Sequence, residues 1–417
     1  VLAIAIIAAL ILVWSAVSRP LDRRGITSAL FFTAAGATVV ALWPSAVDLD
    51  IDTLGAEHIA EVALCLLLFG DATRLDLATL RREAGWPARL LLIGLPLAMI
   101  AGAAAGFLLF PDLPLAAVLL LATMLAPTDA ALGRKVVSDE AVPPRVRQAL
   151  DVESGLNDGL AVPFFLVALT YAESAGTGGV AAAVLTNMAQ QIGWGVLAAA
   201  IAGLGGGALY RAADRRGWIA HDWRYVLPLA SALLAFAIAS VLGGSVFIAA
   251  FVAGLAFGRV VGSHRSDVGV LAEEAGELFA SATWIAFGGL ALVLAGPHLT
   301  WRVVAYAVLS LTLVRMIPVA LSLIRSGARI PTALFIGWFG PRGLASLVFL
   351  LIASESAFPG SDTVRTTVVV TVAASVLLHG LTSVPLVARY SAWYSARTPR
   401  GESAPAALPR PRRAQSG

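Results

Sequence analysis

Apolar residues run through this chain in blocks of about 17–25, the length that crosses a hydrocarbon core, and the polar residues gather between them. The blocks fall near 1–17, 26–43, 56–70, 88–110, 113–136, 146–172, 180–210, 223–242, 244–262, 271–295, 302–325, 331–354 and 364–390. This pattern predicts about thirteen spanning helices, the third of them short, with the 223–262 pair divided only by Gly243-Gly244. Charge alternates in step with the blocks. Arg19, Arg23, Arg24, Arg74, Arg81, Arg82, Arg134, Lys135, Arg145, Arg147, Arg211, Arg215, Arg216, Arg224, Arg259, Arg265, Arg325 and Arg329 fall in or at the edges of the loops after odd-numbered blocks. The opposite loops hold only Arg302 and Arg365, beside Asp48, Asp50, Asp52 and Glu57. Basic loops stay cytoplasmic, which predicts an N-terminus outside the cell and a C-terminus inside. Past Arg389 the sequence turns polar and rich in Pro and Arg, so residues 391–417 are expected to be a disordered basic cytoplasmic tail.

Composition fits the pattern. Of 417 residues, 59% are hydrophobic and 13% charged, roughly half the charge of a soluble domain. The expected class is an all-α polytopic membrane protein, placed by its topology in the cell membrane. The single cysteine, Cys65, allows no internal disulfide and reads as a small buried hydrophobe. Residues 1–17 lack the basic flank and cleavage site of a signal peptide. The run is already under way at Val1, which leaves open whether the N-terminus is complete.

An odd number of spans implies a plan. Two six-helix halves joined by one linking helix place the second half upside down relative to the first, an arrangement recurrent in secondary transporters. The fifth block then pairs with the twelfth, and both are interrupted: at Ala126-Pro127-Thr128-Asp129 and at Phe339-Gly340-Pro341-Arg342-Gly343. Proline removes a backbone donor and frees a carbonyl one turn back. Unwound backbone at membrane depth is tolerated only inside protein or along a cavity. The two broken helices are therefore expected to cross at mid-membrane and form a site.

The acids locate that site. A carboxylate at the centre of a spanning helix costs about 2.5–3.5 kcal/mol, so it persists where a cation, a proton or a polar cavity offsets the cost. Asp151, Ser154 and Asp158 fall on one helical stripe flanked by Asn157, and Asp129 lies mid-block in the preceding span. Two carboxylates, a hydroxyl and freed carbonyls such as that of Thr128 make an all-oxygen ligand set suited to hard cations. Desolvation and a like-charged neighbour both favour the neutral form of an acid. A proton and a cation are thus expected to compete for the same oxygens at Asp158, which is sufficient to couple their movement. Glu153 points away from this stripe. It is expected to form a structural ion pair with Arg315, while Arg342 offsets the helix-end charges where the breaks cross. Asp71 and Asp151 are candidates for a cytoplasmic entrance, and Glu273, Glu274 and Glu277 for an acidic funnel. His379 reads as a core histidine bonded to backbone.

Together the Pro127-Thr128-Asp129, Glu153-Ser154-x-x-Asn157-Asp158 and Gly340-Pro341-Arg342-Gly343 motifs resemble those of the NhaP-type monovalent cation:proton antiporters, over residues 1 to about 390. The resemblance implies Asp158 and Asp129 as ligands of a transported Na+, helped by Ser154 and the Thr128 backbone, with Asn157 holding the geometry. It implies Glu153–Arg315 as the structural ion pair, a homodimer, and electroneutral exchange of one cation per proton, the behaviour of Asn-Asp members. It also implies a domain plan: dimer-domain helices at 1–87 and 216–297, core-domain helices at 88–172 and 298–390, and a linking helix at 173–215. Some relatives carry a glutamate near the end of the third span as an extra ligand; here Asp71, one methylene shorter, puts that contact in doubt.

The expected function is Na+/H+ antiport by alternating access, with Li+ or K+ as further cations and K+/H+ antiport as the alternative. No enzyme activity, cofactor or nucleic-acid partner is expected. An intramembrane aspartyl protease is a distant rival, because the Gly-x-Gly-Asp context of such enzymes is Gly155-Leu156-Asn157-Asp158 here. A cation channel is another, but repeated filter segments are missing.

Overall fold

The computed structural model describes residues 2–43, 56–75, 85–129, 132–173, 180–262, 268–294 and 298–396. The acidic loop of Asp48, Asp50 and Asp52, the basic residues Arg81, Arg82 and Arg265, and the tail beyond residue 396 lie outside these residues. Among the described residues all regular structure is helical. The first helices are α1 (Leu2–Arg23), α2 (Ser28–Leu42), α3 (Ala56–Arg74) and α4 (Gly85–Leu109, with a π-helical turn at Leu90–Gly94). Next come α5 (Leu115–Met124), the short α6 (Arg134–Ser138) and α7 (Pro144–Glu173). Helix α8 starts at Val180–Ala199 and passes through a π-helical turn, Ala200–Leu204, into Gly205–Arg215. Then follow α9 (Val226–Leu242), α10 (Val246–Val261), α11 (Val270–Leu294), α12 (Trp301–Leu311), α13 (Leu313–Ser322), α14 (Ile330–Trp338), α15 (Leu344–Ser354) and α16 (Ser361–Ser395).

Eight helical stretches among the described residues are long and apolar enough to cross a bilayer, and four more apolar helices, α2, α5, α10 and α15, have 10–17 residues. Their starts are specified locally. Thr27, Ser245 and Thr300 each accept a hydrogen bond from a backbone N–H in the first turn of α2, α10 and α12. The division inside 223–262 is made by Gly243, which ends α9 in the left-handed region at φ 70°. Large apolar side chains such as Leu42, Leu108 and Val241 stand at least 80% exposed, as suits a lipid-facing surface.

The helices pack in two groups. One joins α2 and α3 with α8 to α11, and the other joins α4, α5 and α7 with α12 to α16. In the first group the contact is built on small side chains: Ala199, Ala202, Ala235, Ala239, Ala249, Ala253 and Ala272 are all fully buried. Small residues let helices approach closely where lipid supplies no hydrophobic drive. The groups meet where α3 faces α7 and α15. Helix α3 continues four residues past the third apolar block, to Arg74, and Asp71 lies in its last turn.

Candidate ion-binding site

Helix α5 stops at Met124 because Pro127 cannot supply the N–H that would extend it, and residues 125–129 run irregularly into the protein interior. Helix α7 holds this segment. The Ser154 hydroxyl donates to the Thr128 carbonyl at 2.7 Å. The Asn157 amide donates to the Thr128 hydroxyl at 2.5 Å. Thr128, Ser154 and Asn157 are all buried. Asp158 follows on the same face of α7; its Oδ1 is buried and has no hydrogen-bond partner among the described residues. Asp129 and Asp71 both act on Asp158 electrostatically, so three carboxyls share one region. A small cavity on the Asp129 side is lined by Thr128, Asp129, Glu153, Ser154, Phe339 and Pro341.

The second irregular segment, between α14 and α15, meets the first. Asp129 donates its N–H to the Pro341 carbonyl at 2.8 Å and accepts the Leu344 N–H on Oδ2 at 3.0 Å. Arg342 is fully buried, and its Nη1 donates to the carbonyls of Ala126 at 2.8 Å and Pro127 at 3.3 Å. Its Nη2 reaches the Ser310 carbonyl at 3.2 Å. A guanidinium thus sits at the carbonyl-rich end of α5 while a carboxylate sits at the N-terminus of α15, each matching the local helix charge. Ser346 adds a bond to the Met124 carbonyl at 2.7 Å.

Two glycines permit this approach. A Cβ on Gly343 collides with the Asp129 side chain, and one on Gly340 collides with the Arg315 guanidinium. Arg315, on α13, pairs with Glu153 on α7: Nη2 lies 2.6 Å from Oε1 and 2.7 Å from Oε2, with both residues 1% exposed. One guanidinium nitrogen thus serves both oxygens of a buried carboxylate, a charge-assisted contact stronger than a neutral hydrogen bond.

The sequence matches the family described as "Sodium/hydrogen exchanger, transmembrane" over residues 3–389. The chain belongs to the sodium/hydrogen exchanger family. Similar proteins include a K+/H+ antiporter NhaP2 of Shewanella oneidensis, 28% identical over 389 residues, or 90% of this chain and 65% of that protein. A Na+/H+ antiporter 2 of Zygosaccharomyces rouxii is 31% identical over 271 residues, or 60% of this chain and 32% of that protein. The chain spans less than two thirds of the length of these relatives. In three dimensions it is similar to the sodium proton antiporter MjNhaP1 of Methanocaldococcus jannaschii, with a TM-score of 0.73 at 20% identity, covering 93% of this chain and 98% of that one. The family and the fold are those of transporters, and the chain is a multi-pass membrane protein.

Of the other charged positions, Asp71 stands at the contact between the two helix groups. Asp71 lies against α7 at Gly155, where a Cβ would stand 3.8 Å from its Oδ2. Asp151 is on the exposed side of α7 and interacts electrostatically with Arg74. Arg74 is ion-paired with Glu273. Glu274 and Glu277 line a separate cleft with Asp22 and Trp14. Sequence reasoning passed over Ser346, Ser375 and the Leu344 backbone N–H. A serine in an apolar helix is a weak signal, and a backbone donor has none.

Proposed function

We propose that this chain is an antiporter exchanging Na+ for H+ by alternating access. The observation that carries the reading is the buried Asp158 oxygen, without a hydrogen-bond partner among the described residues, beside the Ser154–Thr128 contact and Asp129. A buried carboxyl oxygen left so is costly; a proton or a bare cation relieves that cost, and both cannot occupy it at once. Asp158 and Asp129 bind the ion, with Ser154 and the Thr128 carbonyl completing the oxygen set. Asn157 holds Thr128 in place. Glu153–Arg315 and Arg342 keep the surroundings rigid, while Asp71 and Asp151 line the approach.

In this reading the thirteen apolar blocks are spans in two inverted halves, with the N-terminus outside the cell and the C-terminus inside. The group containing α4, α5, α7 and α12 to α16 is the core domain, moving against a dimer domain in a homodimer in the cell membrane. One cation exchanges for one proton, and no cofactor takes part. K+/H+ antiport is the second reading, favoured by the similarity to the protein named K+/H+ antiporter NhaP2.

The test is reconstitution in vesicles holding a pH dye, with sodium, lithium and potassium added in turn, with and without an ionophore that clamps voltage. Cation-driven dequenching that is insensitive to the clamp supports electroneutral antiport. Silence with all three cations rejects the function, and a response to potassium alone selects the second reading.

A further inference from the structure

Helix α16 carries Ser375, His379 and Thr382 at i, i+4 and i+7, one polar face on an apolar helix. That face is turned onto the break between α14 and α15. At the near edge, the carbonyl of Trp338, the last residue of α14, lies 2.8 Å from His379 Nε2. The Trp338 indole N–H donates to the Thr382 hydroxyl at 3.0 Å, and its ring lies 5.1 Å from the imidazole. At the far edge, the Arg342 N–H donates to the Ser375 hydroxyl at 2.7 Å. Between the edges, that hydroxyl lies 3.2 Å from His379 Nδ1.

The imidazole is thus held from both sides. Nε2 faces the Trp338 carbonyl, and Nδ1 faces the Ser375 carbonyl, one turn back on its own helix, at 2.9 Å, with the Ser375 hydroxyl at 3.2 Å. His379 is 1% exposed, and no water replaces a lost donor at such a place.

We infer that His379, acting with Ser375, is a positioning residue for the cation site: it clips both edges of the second break to α16 and so sets where Asp129 stands. The link runs through two contacts. Arg342, held by Ser375, reaches the Ala126 carbonyl beside the first break. Two residues further on, Leu344 donates to the Asp129 carboxylate. This inference rests on Asp129 being a ligand of the transported cation, as proposed above.

The experiment uses the full chain in pH-dye vesicles and reads apparent KM and Vmax for sodium, normalised to folded protein, with potassium as the second cation. Glutamine places its amide N–H near the position of imidazole Nε2, whereas asparagine reaches only as far as Nδ1. His379→Gln is expected to keep KM within about twofold, while His379→Asn and His379→Leu raise it about fivefold or more with Vmax changed less, the scale of one lost buried hydrogen bond. Ser375→Ala breaks the contact at the far edge and is expected to raise KM likewise, which keeps the test open if His379→Leu fails to fold. The inference is overturned if His379→Asn and Ser375→Ala retain the wild-type KM, if activity falls only in proportion to folded protein, or if glutamine does no better than asparagine. Wild-type vesicles silent to both cations overturn the antiport reading and this inference with it. Active wild type with unchanged variants overturns the inference alone.

Discussion

Asp129 accepts the backbone N–H of Leu344 at 3.0 Å, across 215 residues of sequence. A carboxylate proposed to hold the cation thus also caps the helix that begins the second half of the other broken span. The capping oxygen and the ligand charge are separable by mutation.

Asp129→Asn keeps an oxygen for Leu344 and removes the charge, so it is expected to fold with little loss of stability and to transport nothing. Asp129→Ala removes the cap as well and is expected to cost about 0.5–2 kcal/mol. Thermal unfolding in detergent, read beside vesicle transport, checks both. Equal stability of the two variants counts against the cap.

Asp158 gives the opposite balance. Its buried Oδ1 makes no hydrogen bond among the described residues, so neutralising it removes a desolvated charge without breaking a contact there. Asp158→Asn is expected to be at least as stable as wild type while cation-dependent dequenching disappears. Retained transport in this variant would sink the competition mechanism.

Glu153 and Arg315 are expected to act on stability first. Glu153→Gln or Arg315→Gln leaves one buried charge without its partner, at about 3–5 kcal/mol. Replacing both by leucine is expected to cost less than either single change, because no lone charge remains. A double-mutant cycle on unfolding temperature measures this, and additive losses would mean that the pair is not coupled.

Asn157 reaches the site through the Thr128 hydroxyl, at 2.5 Å. Asn157→Ala removes about 1 kcal/mol of hydrogen bonding, which corresponds to roughly a fivefold rise in KM for the cation. The measurement is the sodium dependence of dequenching, and an unchanged KM would leave Asn157 with no positioning task.

How much of this was legible beforehand depended on whether a signal was local. Ser154, Asn157 and Asp158 lie on one helix, so a repeat of about 3.6 residues already placed them near a common face. Pro127 and Pro341 announce their breaks by chemistry that acts within one turn. His379 was legible as a buried histidine among backbone groups, yet nothing in its neighbourhood pointed to Trp338, 41 residues away. The apolar run of α3 stops at Gly70, and its last turn, from Asp71 to Arg74, is polar enough that hydropathy alone does not show how far the helix continues.

The amino-acid order alone determined that the chain is helical, that it is apolar enough for lipid, where its helices break, and which acids sit too deep to be ordinary. Those properties follow from hydropathy, helical period and the missing N–H of proline, all of which act within a few residues. Only the folded arrangement decided that Arg342 serves the carbonyl end of α5 from 216 residues away and that Asp129 caps α15. Such partners are chosen by helix packing, which brings groups together without regard to their distance along the chain.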